Sequence, residues 1–316
     1  MSEQKKNGHL IMLVVTLIFG LNIPLSKSLL PAAMSPEGLT ISRFAFGAVA
    51  FWMASIFTKK ERVPLKDHLF FLVGACCGVI FNQGLFLVGL SHTSPIDASI
   101  IITAGPLFAM IFAALILKEP ITLMKAGGVL VGASGAILLV YSGSHTVATQ
   151  SSVAGNLMIA GSSMIYAFYL VISRPVVARY SAVTMMKWMF LYASVMVVPF
   201  FYPHILEAPV VQTPTLKPVL QMIYTLFGAT FVTYLLLAMA QQRIRPTTIS
   251  MYNNLQPLIA SFVAIMVGMD HFSMLKLLAG ALIFSGVYLV TQSKSKADIE
   301  NAKVKAAIKL VEKQEI

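Results

Sequence analysis

The sequence predicts an all-α integral membrane protein with ten transmembrane helices in two inverted five-helix repeats. Three observations predict this fold. Of the 316 residues, 57% are hydrophobic and only 11% are charged, whereas soluble domains average about 25% charged residues. Apolar runs of about 20 residues, the length that crosses a bilayer, recur along the chain. The second half of the chain also repeats the residue pattern of the first half.

Ten apolar runs are candidate transmembrane spans, and short connections separate them. Their approximate ranges are 8–30, 37–58, 68–90, 95–117, 122–141, 153–173, 182–202, 218–240, 246–267 and 273–291. The first run follows Lys5 and Lys6, as a signal peptide would. It continues past Pro24 and has a counterpart later in the chain, so we interpret it as the first span. Cys76 and Cys77 lie side by side within the third span and are expected to be small apolar filler.

The distribution of basic residues predicts the orientation. If the N-terminus is cytoplasmic, 18 of the 23 lysine and arginine residues lie in cytoplasmic segments, and only Lys217 and Lys276 lie on the opposite side. Cytoplasmic loops carry this excess of Lys and Arg. We therefore expect a multi-pass protein of the cell inner (plasma) membrane, with the lipid bilayer as its partner and both termini in the cytoplasm. The same rule explains the net charge of +11, so no nucleic-acid partner is expected.

The two halves match at a nearly constant offset. A shift of 151 residues places Pro95 on Pro246 and Pro106 on Pro257. Each half then holds five spans, and an odd number means that the second half enters the membrane from the opposite side. Inverted repeats are typical of transporters, which bind substrate near the midplane between the repeats.

The repeat predicts three regions of the chain. Residues 1–145 form the first repeat and residues 150–292 form the second, inverted repeat. Residues 293–316 form a basic cytoplasmic tail, which is either an amphipathic helix on the membrane surface or a disordered segment.

A polar segment interrupts the ninth span. Three carboxamides, a phenol and a proline lie within an apolar run: Tyr252, Asn253, Asn254, Gln256 and Pro257. Unpaired amides in hydrocarbon cost several kcal/mol each. Such groups either line a water-filled cavity or join neighbouring helices by hydrogen bonds, and both alternatives stay open here.

Several local patterns resemble a known family. Arg43-Phe44 follows Pro36 in the second span, and Lys118-Glu119-Pro120 ends the fourth. The fifth span is rich in small residues, which include Gly127, Gly128, Gly132 and Gly135. With ten spans in two halves, this arrangement resembles the EamA family of the drug/metabolite transporter superfamily, over about residues 8–292. The resemblance implies an exporter or permease of amino acids and other small metabolites. It also implies a central cavity lined by the first, third, fourth, sixth, eighth and ninth spans. The second half departs from the family pattern, because the acidic residue after its ninth span is Asp270 and not a glutamate.

The polar residues of these implied lining spans are the candidate substrate-binding residues. They are Asn22, Asn82, Gln83, Thr103, Tyr166, Tyr169, Tyr234, Tyr252, Asn253, Asn254 and Gln256. Amides can bond both the ammonium and the carboxylate of an amino acid, and phenols can stack on a side chain. For each of Tyr166, Tyr169 and Tyr234, simple packing with a bonded hydroxyl is an equal alternative.

Three charged residues and two prolines complete the candidate set. Lys27 is expected to extend to the outer interface or to attract an anion. Arg43 is expected to hold the repeats together from a peripheral helix. Asp97 is the proton-handling candidate, with a polar outer loop as the alternative. Pro106 and Pro257 are candidate hinges, because each can kink a helix that must move.

These observations favour a secondary transporter, expected to be an exporter, of small organic molecules such as amino acids or related metabolites. The alternatives are a membrane channel and a membrane-embedded enzyme. We do not expect an enzyme, because all six histidines lie near membrane edges or in loops and assemble no intramembrane site. We expect no cofactor and no metal. Protons are a candidate coupling ion, but no span carries a central Asp or Glu, so facilitated diffusion stays open.

Overall fold

The computed structural model describes residues 3–93, 98, 101–141, 152–259, 262 and 274–294, and this part of the chain is all-helical. Helices occupy the places of all ten predicted spans, and we label them α1 to α10. Their bounds are α1 Glu3–Leu29, α2 Pro36–Ile56, α3 Leu65–His92, α4 Gly105–Leu117, α5 Leu123–Tyr141, α6 Val153–Ile172, α7 Ala182–Phe201, α8 Leu216–Gln241, α9 Pro246–Tyr252 and α10 Met274–Gln292. Three single-turn helices lie in the connections, at Arg174–Val177, Pro203–Leu206 and Pro209–Gln212.

Within the described ranges, six of the helices are long and apolar enough to cross a membrane, namely α1, α2, α3, α6, α7 and α8. The described part of α4 is shorter but also apolar. Large apolar side chains such as Val49, Ile56, Leu115 and Phe200 lie exposed on the outer surface. A soluble monomer rarely exposes so much contiguous apolar surface, so the outer faces of these helices suit lipid.

Serine caps begin three of the helices. The hydroxyls of Ser35, Ser152 and Ser181 accept hydrogen bonds from backbone N–H groups in the first turns of α2, α6 and α7. These bonds satisfy donors that a helix start leaves without partners. Glu119 follows the end of α4, and its carboxylate lies 2.7 Å from the buried ammonium of Lys125 in α5, so this ion pair joins the two helices.

Two helices contain π-helical segments that the sequence pattern did not predict. The first is Ala75–Phe81 in α3, and the second is Tyr224–Val232 in α8. They occupy corresponding places in the two halves. Threonine hydroxyls support the second segment, because Thr230 donates to the carbonyl of Thr225 and Thr233 donates to that of Gly228, each five residues earlier. π-Helical turns occur frequently at functional sites.

The fourth span of each half is interrupted before its proline. A turn at Thr103 and Ala104 precedes Pro106, and a 3-10 segment, Asn253–Leu255, precedes Pro257. Proline has no N–H to bond the carbonyl one turn earlier, so the α-helical hydrogen-bond ladder breaks at this place. Both candidate hinges therefore lie beside an interruption of their helix.

The duplicated halves interlock through pairs of helices. α1 packs against α8, α3 against α6, α2 against α7, α4 against α9 and α5 against α10. Each pair joins one helix from each half. The α5–α10 pair is so close that a Cβ on Gly286 would lie 2.5 Å from the Cα of Gly132. The predicted junction between the repeats, near residues 146–149, and nearly all of the tail lie outside the described residues.

Candidate functional site

A cavity of about 100 Å³ lies between the two halves. Residues of α1, α2, α3, α4, α6 and α8 and of the polar segment after α9 line it, so both halves contribute. Seven predicted substrate-binding residues line this cavity: Asn22, Asn82, Gln83, Tyr166, Tyr234, Asn253 and Gln256. The structure therefore brings together amides and phenols that lie far apart in the sequence.

Hydrogen bonds between the halves orient two of the cavity amides, Asn82 and Asn22. Asn82 Nδ2 donates to the carbonyl and the hydroxyl oxygen of Ser162, at 3.2 and 3.0 Å. The Ser162 hydroxyl donates in turn to the carbonyl of Asn82. Asn22 Oδ1 accepts from the Thr225 hydroxyl at 3.2 Å. These bonds fix amide groups at the cavity wall and join α3 to α6 and α1 to α8.

The polar segment after α9 forms one amide pair at the cavity. Gln256 Nε2 donates to Asn253 Oδ1 at 3.2 Å, and both residues line the cavity. Asn254 is also buried but does not line the cavity, and its amide faces Gly132 of α5. In this structure Asn254 therefore lies outside the cavity, and substrate binding by Asn254 stays a prediction. A 3-10 turn advances each residue further around the axis than an α-turn does, which directs Asn254 away from the cavity.

Arg43 lines the cavity, although the second span was expected at the periphery. The guanidinium is buried, with Nε donating to the Thr230 hydroxyl at 2.8 Å and Nη2 donating to the carbonyl of Ala229 at 3.0 Å. These contacts join α2 of the first half to the π-helical segment of α8. The expectation that Arg43 holds the halves together agrees with these bonds, whereas its expected peripheral place was wrong.

Two predicted tyrosines lie away from the cavity. Tyr169 is buried with its ring against Gly78, and its hydroxyl lies 3.7 Å from the sulfur of Met189. The Tyr252 hydroxyl lies 2.8 Å from Nδ1 of His9, near the beginning of α1. These contacts agree with packing, which we held as the alternative for Tyr169, and substrate binding by Tyr252 stays a prediction.

The remaining predicted residues have other surroundings. Thr103 is buried outside the cavity lining, and so is Pro106. The ammonium of Lys27 donates to the carbonyls of Leu90, Ser91 and Thr93, at 2.7, 3.3 and 3.1 Å. Lys27 therefore caps the end of α3, and its two expected roles, reaching the outer interface or attracting an anion, stay predictions. Asp97 lies outside the described residues.

Sequence reasoning missed part of the lining. Ser162 and Ser163 line the cavity, as do the apolar residues Phe19, Phe86 and Ile102. The two serines precede Tyr166 by one helical turn, so helical spacing could have placed them on the same face.

The end of the molecule where α1 begins is tightly packed. A Cβ on Gly8 would lie 2.9 Å from the side chains of Arg243 and Ile244. Arg174 donates to the carbonyls of Gln241 and Ile244. These contacts, with the His9–Tyr252 bond, join the beginning of α1 to α9 and to the segments that follow α6 and α8.

Comparisons with known proteins agree with the fold. The model of the EamA-like transporter family matches residues 6–141 and 153–292. A probable terminal-alkyne amino-acid exporter of Streptantibioticus cattleyicolor is 25% identical over 258 residues, covering 81% of this chain and 84% of that protein. The uncharacterized transporter YyaM of Bacillus subtilis is 29% identical over 171 residues. That match covers 53% of this chain and 56% of YyaM, so the chain spans little more than half of that relative.

A solved structure shows the same fold. One crystal structure superposes with a TM-score of 0.72 at 20% identity, covering 91% of this chain and 98% of the other.

Proposed function

Because this chain belongs to the EamA-like transporter family, we propose that it is a secondary transporter that exports amino acids or related small metabolites by alternating access. Family membership makes it a multi-pass membrane transporter rather than an enzyme. The observation that carries the proposal is the cavity between the halves, lined by oriented amides and phenols.

The helix pairing supports an inverted repeat of ten transmembrane helices. α1 packs on α8 as α6 packs on α3, so the first span of each half meets the third span of the other. The second, fourth and fifth spans pair with their own counterparts. This reciprocal pattern is the one that two halves related by a twofold axis would give. With the bias of lysine and arginine, it supports both termini on the cytoplasmic side.

The cavity chemistry supports a small solute with polar and apolar parts. Amides such as Asn82 and Gln256 present both donors and acceptors. Phe19, Phe86 and Ile102 supply apolar surface. The Streptantibioticus relative is described as a probable terminal-alkyne amino-acid exporter, which favours an amino acid as the solute of this chain.

The two interrupted helices support a mechanism for access. The breaks before Pro106 and Pro257 lie in the same span of each half, and Gln256 beside the second break lines the cavity. Bending at these places would open one end of the cavity while the other end stays packed. Protons are the candidate coupling ion, with facilitated diffusion as the alternative.

The test uses purified protein in liposomes loaded with amino acids and common metabolites. Efflux is followed by mass spectrometry, with and without a pH gradient. We expect selective efflux from the wild type and its loss in Asn253→Ala. The control is Gln221→Ala, because Gln221 is a carboxamide outside the cavity that bonds the Ser28 hydroxyl. An absence of efflux from folded wild-type protein, or an equal loss in both variants, would contradict the proposal.

A further inference from the structure

Arg43 is the charged residue among those that line the cavity, and no carboxylate lines it in the described part of the chain. The ion pairs formed by the described residues lie elsewhere, between Lys125 and Glu119 and between Arg179 and Asp67. The cavity wall therefore carries one positive charge with no acidic partner. Arginine is charged in essentially every protein environment.

The contacts of Arg43 do not neutralise this charge. Both acceptors, the Thr230 hydroxyl and the Ala229 carbonyl, are uncharged. They engage Nε and Nη2, whereas a guanidinium carries five N–H donors in a planar fork. Since ionisable groups at membrane depth are costly, an arginine kept there without an acidic neighbour needs another source of negative charge.

A second residue at the cavity also has unused hydrogen-bonding capacity. Gln83 is only 3% exposed and lines the cavity. Its amide interacts with the Tyr234 hydroxyl, but it makes no hydrogen bond of normal distance and angle among the described residues. Buried polar atoms are nearly always paired. The adjacent Asn82, by contrast, donates two normal hydrogen bonds from Nδ2 to Ser162. The amide of Gln83 thus keeps hydrogen-bonding capacity for a ligand.

We propose that Arg43 and Gln83 form a subsite for the carboxylate of the transported solute. This inference rests on the transport function proposed above and specifies its substrate class. The free N–H groups of Arg43 supply a charge-assisted contact, and Gln83 Nε2 supplies a neutral one. The single cation matches a monoanionic carboxylate better than a phosphate, whose charge at pH 7 is about −1.5 to −2. The apolar wall of Phe19, Phe86 and Ile102 receives the rest of the molecule.

The same charge predicts which solutes the cavity rejects. A zwitterionic amino acid balances Arg43 and places its ammonium among amide oxygens. A carboxamide leaves the arginine without a counter-charge, and a decarboxylated amine adds a like charge. Selection for carboxylate-bearing solutes over their amides and amines therefore follows from one residue.

The second half supplies a matched control. Lys187 holds the place of Arg43 in the sequence repeat, but it does not line the cavity. Its ammonium lies 5.1 Å from the centroid of the Trp52 ring and 5.9 Å from that of Trp188. Removing this charge should leave solute selection unchanged.

The first experiment needs no variant. Wild-type proteoliposomes are loaded with a mixture that contains amino acids, their carboxamides and their decarboxylated amines, and efflux is compared with that from protein-free liposomes. We expect every solute that leaves through the protein to carry a free carboxylate. A carboxamide or amine that leaves as fast as its parent acid would overturn the carboxylate subsite and leave the transport function intact. Failure of every solute to leave would instead remove the transport function itself.

The second experiment compares variants in the same assay. Arg43→Gln should reduce carboxylate efflux by about tenfold or more, because a charge-assisted contact is lost, whereas Lys187→Gln should not. Arg43→Lys keeps the charge and should keep the preference for carboxylates at a lower rate. Gln83→Leu should also weaken carboxylate efflux. This variant leaves the bonds between Arg43 and α8 in place, so its effect does not come from losing them. Unchanged selection in folded Arg43→Gln and Gln83→Leu proteins would overturn the assignment.

Discussion

The two π-helical segments occupy corresponding places in the halves, but different neighbours stabilise them. In α8, the hydroxyl of Thr230 and the guanidinium of Arg43 bond the backbone of the segment or one another. In α3, no side chain of this kind enters among the described contacts, and the ring of Tyr169 packs directly over Gly78. One segment is therefore held by polar bonds and the other by close packing. Duplication has preserved the backbone geometry while each half acquired its own side-chain support.

The largest loss of stability is expected where α5 of the first half packs against α10 of the second half. Glycines on both helices allow this close packing, so here the two halves depend on the same feature. A Cβ on Gly286 would lie 2.5 Å from the Cα of Gly132, and one on Gly135 would lie 2.7 Å from the Cβ of Leu282. Because backbone must move in the first case, we expect Gly286→Ala to lower the free energy of unfolding by about 3 kcal/mol. Gly135→Ala should lose a similar amount. Gly127→Ala is the control, since its Cβ would meet nothing within 4 Å. Unfolding in detergent measures all three.

The two π-helical segments should respond differently to an alanine in place of their glycine. A Cβ on Gly78 would lie 2.8 Å from the ring of Tyr169, whereas one on Gly228 would meet its neighbours at 3.7 Å or more. Gly78→Ala should therefore cost about 2 kcal/mol by overpacking. Gly228→Ala should be neutral or stabilising by up to about 1 kcal/mol, since alanine favours a helix. Thermal unfolding of both variants checks this contrast, and equal losses would contradict it.

Two threonine hydroxyls stabilise the π-helical segment of α8, and each can be removed separately. Thr230→Val removes a hydroxyl that accepts from Arg43 and donates to the Thr225 carbonyl. We expect a loss of about 1.5–3 kcal/mol, because a bond to a charged group is included. Thr233→Val removes only the bond to the Gly228 carbonyl and should cost about 1 kcal/mol. A larger loss for Thr233→Val in the same unfolding measurement would reverse the assigned roles.

The smallest effect is expected at Lys187. Its cation–π contact with Trp52 is worth about 0.5–1 kcal/mol, so Lys187→Met should lower the free energy of unfolding by no more than that. Chemical denaturation in detergent provides the measurement. A loss as large as that of Thr230→Val would mean that the second half also depends on its basic residue.

Composition and the repeat pattern predicted the helices, because apolar runs of this length cross a bilayer. The cavity amides followed from the family resemblance, which implied the lining spans. Asn82 and Asn253 illustrate this success, since each lies near the centre of its span. The surroundings of a residue were not predicted where the helix departs from α geometry or where a contact joins distant segments. Asn254 lies in a 3-10 turn, so its direction differs from the one that α spacing gives. The role of Lys27 depends on the carbonyls of Leu90, Ser91 and Thr93, and such a contact between distant segments has no local signal in the sequence.

The contact between Gly132 and Gly286 also restricts how the halves can move. No side chain lies between the two backbones, so α5 and α10 cannot approach each other further. If they separate, they lose packing contacts. No described residue of α5 or α10 lines the cavity. In the alternating access proposed above, this seam would stay fixed while the cavity walls move, and a small rotation of the helices about Gly132 would give a larger displacement at the cavity wall.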